Sequence, residues 1–159
     1  MNIRFGIYTL YIGLEMTVTE YYGHGLDQDF EQNHRIISYP VEFGCKEGFK
    51  LDKENNVYRK DILLKDLKNA FFIKTKVIFH SDIYDLWAFN NVTQKFTIYT
   101  TNDELGQKNN FLKLSDRFIR EINFSDVKKL WEEYLPSSLN LPMPEGLPKK
   151  RVLEIEDIL

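Results

Sequence analysis

Apolar and polar residues alternate along several stretches of this chain, and this period of two is the strongest constraint on its fold. Within residues 71–79, FFIKTKVIF, positions 71, 73, 77 and 79 are apolar and positions 74 and 76 are lysines. The same alternation runs through residues 3–7 and 14–18, where its parity changes near Gly13. Successive side chains of a strand point to opposite faces of a sheet, so the pattern predicts half-buried strands with a turn, bend or bulge near Gly13.

Turn residues separate further strand candidates. Two aromatic and β-branched runs flank Asn90-Asn91, which is the clearest hairpin signal in the chain, and a second hairpin is predicted around residues 54–56. Residues 35–43 predict a strand that Pro40 would place at a sheet edge. Aromatic residues make up 14% of the chain, and aromatic side chains favour pleated, half-buried surfaces.

Two segments have helical rather than strand spacing. Residues 60–70, KDILLKDLKNA, predict a short helix capped by Asp61. Residues 126–135 predict another, because Val127, Leu130, Trp131 and Tyr134 fall at i, i+3, i+4 and i+7, with Pro136 ending the helix. Residues 102–110 are interpreted as a polar loop. The predicted fold class is therefore α+β, a mainly antiparallel sheet with about two short helices packed on it.

The chain length of 159 residues fits one domain, which we predict to span residues 1–136. Four of the five prolines fall between residues 136 and 148, so residues 137–159 are predicted to be a proline-rich linker and a C-terminal tail. The apolar residues of the tail would dock on the domain or on a neighbouring chain. No internal repeat is visible at the spacing of solenoid proteins.

Composition restricts location and partners. The single cysteine, Cys45, excludes an intrachain disulfide and favours a reducing compartment. The apolar run after Arg4 is too short to span a bilayer and lacks a cleavage site, so we expect a cytoplasmic protein without a membrane segment. A pI near 5.7 and the absence of an extended basic stripe argue against nucleic-acid binding. Residues 1–34 contain one arginine and five carboxylates, a net charge of −4.

Potential ligand and catalytic side chains are concentrated in residues 20–34, EYYGHGLDQDFEQNH. Its histidines and carboxylates match no zinc spacing, and a calcium loop starting at Asp27 lacks the required glycine and final glutamate. Gly23 and Gly25 form only a lone G-x-G, which does not make a phosphate-binding loop. We therefore assign no metal, no cofactor and no catalytic residue, and a solvated acidic loop is the plain alternative.

A binding role remains as the leading hypothesis: a small acidic, cytoplasmic, non-enzymatic protein that meets a basic protein partner. One concrete form is a bacterial immunity protein that neutralises a basic, nuclease-type toxin. Such proteins are generally small, acidic and aromatic-rich, although no motif assigns this chain to them. The expected contacts are the aromatic and acidic residues of the segment: Glu20, Tyr21, Tyr22, Asp27, Asp29, Phe30 and Glu31.

Two alternatives stay open. The first is a small enzyme or ligand-binding domain with its pocket beside the Gly23–Gly25 loop, where His24 and His34 would have to converge with a carboxylate. The second is a structural homo-oligomer in which the C-terminal tail packs across a neighbouring chain.

Overall fold

A computed structural model of the chain describes residues 3–20 and 33–154. These ranges contain twelve strands, and the longest α-helix in them has six residues. Every strand pair with a described register is antiparallel. The predicted antiparallel sheet is confirmed, whereas the predicted α+β class with two packed helices is wrong.

The described residues divide into two compact units, and each is treated by itself. The N-terminal unit comprises Gly6–Phe72 and Leu135–Leu147. It holds β1 (Gly6–Tyr11), β2 (Leu14–Glu20), β3 (His34–Pro40), β4 (Lys50–Asp52) and β5 (Val57–Leu63), paired in the order β4-β5-β3-β2-β1. Short 3-10 turns lie at Val41–Phe43 and Leu64–Asp66.

The C-terminal unit comprises Ile73–Tyr134 together with residues 3–5 and 148–154. Its strands pair in the order β6-β7-β8-β10-β9, and β11 pairs with both β6 and β12. These elements are β6 (Phe71–Phe79), β7 (Asp82–Asn90), β8 (Lys95–Thr100), α1 (Asp103–Lys108), β9 (Leu112–Leu114), β10 (Arg117–Asn123), a 3-10 turn (Phe124–Asp126), β11 (Lys129–Pro136) and β12 (Lys150–Leu153).

The second predicted helix is strand β11. Leu130, Trp131 and Glu132 are consecutive and all at most 2% exposed, so this strand is covered on both faces. A strand buried on both faces loses the alternation that identifies strands from sequence. Its backbone is paired on both edges, by β6 on one side and β12 on the other.

The first predicted helix and the predicted polar loop at residues 102–110 are also wrong. Residues 61–63 of the first predicted helix end β5, where they pair with β3, and Leu64–Asp66 form only a 3-10 turn. Conversely, the predicted polar loop 102–110 contains α1, which begins after Asn102, whose side chain accepts a hydrogen bond from the Leu105 amide. This N-cap places the loop's polar residues in a helix of under two turns.

The two units repeat one strand arrangement. Each begins with two strands joined by a two-residue turn, continues with a third strand and a three-residue fourth strand, and ends with a fifth strand that pairs with both the third and the fourth. The ten residues YRKDILLKDL (58–67) correspond to FIREINFSDV (118–127), 60 positions later. In both units this segment ends in a 3-10 turn closed by equivalent bonds, from Leu67 to Leu64 and from Val127 to Phe124, each 3.2 Å.

The repeat extends to the cores. Six buried residues of the N-terminal core have a buried counterpart in the C-terminal core: Met16 and Tyr84, Val18 and Leu86, Ile37 and Ile98, Phe49 and Phe111, Ile62 and Ile122, Leu67 and Val127. A cation beside an aromatic ring is also kept. Lys60 Nζ lies 5.6 Å from the centroid of the Tyr11 ring, and Arg120 Cζ lies 5.2 Å from that of Phe79. This period exceeds those of solenoid repeats, and only Ile62 and Asp66 are identical in the ten-residue segment, so the sequence alone did not show it.

A buried ionic network joins distant parts of the C-terminal unit. The Arg4 guanidinium donates to both carboxylate oxygens of Glu132, at 2.7 and 2.6 Å, and to the Tyr134 hydroxyl at 2.8 Å. The Glu132 side chain is only 1% exposed. A bidentate arginine supplies the hydrogen bonds that a buried carboxylate requires, so the network is a structural one.

The first hairpin of each unit suggests a stability test. Ile12 and Gly13 join β1 and β2 with φ of 46° and 78°, and His80 and Ser81 join β6 and β7 with φ of 47° and 72°. Positive φ at both central residues defines a type I′ turn, which favours Asn-Gly. We expect Ile12→Asn to raise the free energy of unfolding by about 1 kcal/mol, because a β-branched residue is strained there, measured by urea unfolding.

The equivalent change His80→Asn is the matched control. The His80 ring stacks on Phe79 with centroids 3.9 Å apart, so loss of this ring contact offsets the relief of backbone strain and little net change in stability is expected. The turn assignment is contradicted if Ile12→Asn lowers the unfolding midpoint.

Candidate functional site

The outward-facing side of the C-terminal sheet carries an unusual row of side chains. The strand registers align Asp85 of β7 with Tyr99 of β8, Tyr99 with Ile119 of β10, and Ile119 with Leu112 of β9. Because side chains directly opposite each other lie on the same face, this row runs across four strands. We call the surface formed by Ile83, Trp87, Tyr99, Leu112, Leu114 and Ile119 the apolar face.

Four of these six side chains are substantially exposed. Leu112 is 63% exposed, Ile83 52%, Trp87 48% and Leu114 44%. Phe5, which is 44% exposed, adds to the same surface through an edge contact with Tyr99 at 6.4 Å between centroids. Single exposed apolar residues are normal, but several on one face of one sheet are more typical of a binding surface.

A β-bulge positions the centre of the apolar face. The register between β7 and β8 shifts between Leu86 and Ala88, so Trp87 is the extra residue and projects outward beside Tyr99, 6.1 Å away between ring centroids. The Arg117 guanidinium lies over both rings, 5.5 Å from Trp87 and 5.6 Å from Tyr99. Bulges often direct a side chain towards a functional surface, and tryptophan, tyrosine and arginine are enriched among the residues that dominate protein interfaces.

Charged groups around the apolar face neutralise one another. Asp85 lies 2.6 Å from the Lys76 ammonium and 3.8 Å from that of Lys74. Lys95 lies 3.7 Å from Glu121, and Arg117 lies 3.2 Å from Asp116. Burial raises the pKa of the Tyr99 phenol, and the nearby Asp85 carboxylate raises it further while Arg117 opposes this. The Tyr99 hydroxyl, whose residue is only 7% exposed, therefore stays neutral at physiological pH and does not act as a base.

The N-terminal unit shows that the sheet does not require this surface. At equivalent positions the N-terminal unit has polar side chains where the C-terminal unit has apolar or aromatic ones: Glu15 and Ile83, Ser38 and Tyr99, Arg59 and Ile119, Lys50 and Leu112, Asp52 and Leu114. Three other outward positions do not follow this difference. Thr17 and Asp85 are both polar, and the apolar Ile36 and Val57 correspond to the polar Thr97 and Arg117. The register from Thr17 to Glu20 is unbroken, so Trp87 has no counterpart.

Most of the residues predicted from sequence to bind a partner cannot be compared with this surface. Tyr21, Tyr22, Asp27, Asp29, Phe30 and Glu31 lie outside the described residues, as does the Gly23–Gly25 loop. Glu20 ends β2 as an exposed residue opposite Arg35, and His34 begins β3. The predicted recognition segment therefore stays a prediction.

A second group of polar side chains lies near the β6–β7 hairpin and α1. The Lys108 ammonium lies 2.7 Å from Asp82, and Asn109 donates a hydrogen bond of 2.6 Å to the Tyr84 hydroxyl. The hydrogen bond from Lys108 lowers the pKa of Asp82, and burial raises the pKa of Tyr84. Both shifts oppose proton transfer near neutral pH, since Asp82 becomes a weaker base and Tyr84 a weaker acid. These contacts therefore hold α1 to the hairpin.

Comparisons with known proteins supply no relative. No family model, no curated protein and no solved structure matches the chain. Within the described ranges, no group of three histidine, cysteine or carboxylate side chains could hold a metal ion. No helix of those ranges is long and apolar enough to cross a membrane.

The sequence did contain part of the signal for the apolar face. A strand over residues 118–124, FIREINF, makes Ile119 an outward residue if Phe118 and Ile122 are buried. Leu112 and Leu114 were missed because a three-residue strand is too short to show alternation, and Trp87 was missed because a bulge breaks the period of two.

The Asp82–Lys108 pair predicts an acid-dependent contribution to stability. The pKa of Asp82 is lower in the folded chain, so the contribution is present above the ordinary carboxylate pKa and is lost as the pH falls through the lowered value. We expect Asp82→Asn to be destabilising at neutral pH and to converge with the wild type between about pH 5 and pH 2, measured as urea midpoints. Glu104→Gln, an exposed change on the same helix, is the control, and a pH-independent effect of Asp82→Asn would contradict the assignment.

Proposed function

We propose that this chain is a protein-binding domain and that the apolar face of the C-terminal unit is its docking surface. The supporting observation is the difference between the repeated units: five equivalent outward positions are polar in one and apolar or aromatic in the other. Both sheets are built on the same core pattern, so folding does not demand the apolar residues on the outer side. A requirement outside the chain's own folding explains them better.

The chemistry of the surface suits a protein partner. Trp87, which is 48% exposed, supplies a large, rigid side chain that packs on the edge of the buried Tyr99 ring, and the Arg117 guanidinium lies over both rings. Such a preorganised group loses little conformational freedom when a partner docks. The exposed leucines and Ile83 then surround it with surface whose burial from water drives association.

The proposal includes a location and a kind of partner. A cytoplasmic location rests on the single, exposed Cys45, which is typical of a reducing compartment. Recognition of a basic partner rests on the acidic residues between positions 20 and 31, most of them outside the described ranges. The specific form of an immunity protein has no support among the described residues.

The repeat provides well-matched variants for a test. Leu112→Lys combined with Ile119→Arg introduces the residues that the N-terminal unit carries at the equivalent positions, Lys50 and Arg59, so the fold should be preserved. We expect the double variant to weaken capture of the binding partner from host extract at least about tenfold, a loss of about 1.4 kcal/mol. Quantitative mass spectrometry of captured proteins measures the effect.

Leu51→Lys is the control, because Leu51 is 48% exposed on β4 of the N-terminal unit and its counterpart is already a lysine, Lys113. Equal capture by the wild type and the double variant, with unchanged unfolding midpoints, would reject the apolar face as the docking surface.

A further inference from the structure

We propose that the partner of the apolar face is a second copy of this chain, with the two apolar faces packed against each other about a two-fold axis. The inference rests on the proposed function, since it names the occupant of that same surface. Two properties of the surface carry it: the amount of exposed apolar area and the balance of its charges.

The exposed apolar area fits one standard interface. The side chains of Ile83, Trp87, Leu112 and Leu114 are 44–63% exposed, and Phe5 adds another 44% exposed ring. Together they expose on the order of 400 Å², within the range of the largest apolar patch on a typical monomer. A stable interface buries about 800 Å² on each partner, of which roughly 65% is apolar in homodimers. The apolar face therefore supplies most of the apolar area that one half of a homodimer needs.

The charges around the apolar face favour a copy of itself over a strongly charged partner. Lys74 and Lys76 are paired with Asp85, Lys95 with Glu121, and Arg117 with Asp116. Four cations and three anions leave a surface close to neutral, which gives little electrostatic attraction to a basic or an acidic partner. The same balance avoids the repulsion that a one-signed surface would meet on pairing with its own copy.

The two-fold arrangement also brings the Trp87 side chains of both copies into one interface. In such an interface the same patch serves both subunits, so the exposed Trp87 of each chain can pack on apolar side chains of the other. Residues that dominate binding tend to lie near the centre of an interface and to meet their equivalents on the partner. The bulge that directs Trp87 outward thus gives the interface its centre.

The test uses the full chain alone. We expect sedimentation equilibrium to show a reversible monomer–dimer equilibrium with a dissociation constant in the range of about 1–100 μM. Leu112→Lys/Ile119→Arg should raise that constant at least about tenfold, whereas Leu51→Lys should leave it unchanged. Ile83→Glu, which introduces the N-terminal unit's Glu15, is an independent variant on another strand if the double variant does not fold.

The outcomes separate the two proposals. A wild-type chain that stays monomeric through about 100 μM, or a dimer whose constant is unchanged by both sets of variants, overturns self-association through the apolar face. A monomeric wild type that captures a different host protein, with capture lost in Leu112→Lys/Ile119→Arg, overturns the second copy as occupant and leaves the proposed docking surface standing. A dimer weakened by both variants and unaffected by Leu51→Lys supports both proposals.

Discussion

The register of antiparallel pairing is the constraint on which the other features depend. Two-residue hairpins at Ile12-Gly13 and His80-Ser81 fix the first pairing of each unit. With the register fixed, Met16 and Val18 must point to the core in one unit, and Tyr84 and Leu86 in the other. A slip of one residue would exchange the two faces of a strand, placing buried residues in water and the apolar face in the core.

The repeat separates what the fold needs from what it tolerates. The inner face has kept its pattern: six core positions and the cation beside an aromatic ring are equivalent in the two units. The outer face differs: five positions that are polar in the N-terminal unit are apolar or aromatic in the C-terminal unit, where the bulge adds Trp87. Since the strand order is shared, this difference lies in the outward side chains and in the β-bulge that directs Trp87 outward, and the core pattern does not require either.

Much of the strand content was predictable from sequence, because apolar and polar residues alternate along a strand that is buried on one face only. Residues 71–79 and the hairpin around Asn90-Asn91 were assigned correctly for that reason. Residues 126–135 were assigned wrongly, because burial of Leu130, Trp131 and Glu132 removes the alternation and leaves an accidental helical spacing. Local patterns cannot reveal that a segment is covered on both sides by distant strands.

Most of the candidate site could not be predicted from the sequence, for a different reason. A surface such as the apolar face is defined by registers among β7, β8, β9 and β10, and a register is a relation between segments. Sequence reasoning instead emphasised residues 20–31, where charge and aromatic residues are adjacent in the chain. Functional residues that are adjacent in the chain can be recognised when they lie on one loop. The residues of a sheet surface are two positions apart within a strand and many positions apart between strands, so no local pattern brings them together.

The contact between Arg4 and Glu132 has a consequence for the order of events during synthesis. The two residues are 128 positions apart, so the arginine leaves the ribosome long before its carboxylate partner exists. The hairpins of both units involve only local contacts and can form as they emerge. Residues 3–5, in contrast, belong to the C-terminal unit and can make their contact with β11 only after nearly every other strand has been synthesised. Completion of that unit therefore cannot precede the synthesis of β11, and a chain stalled before residue 132 would lack the buried contact between Arg4 and Glu132.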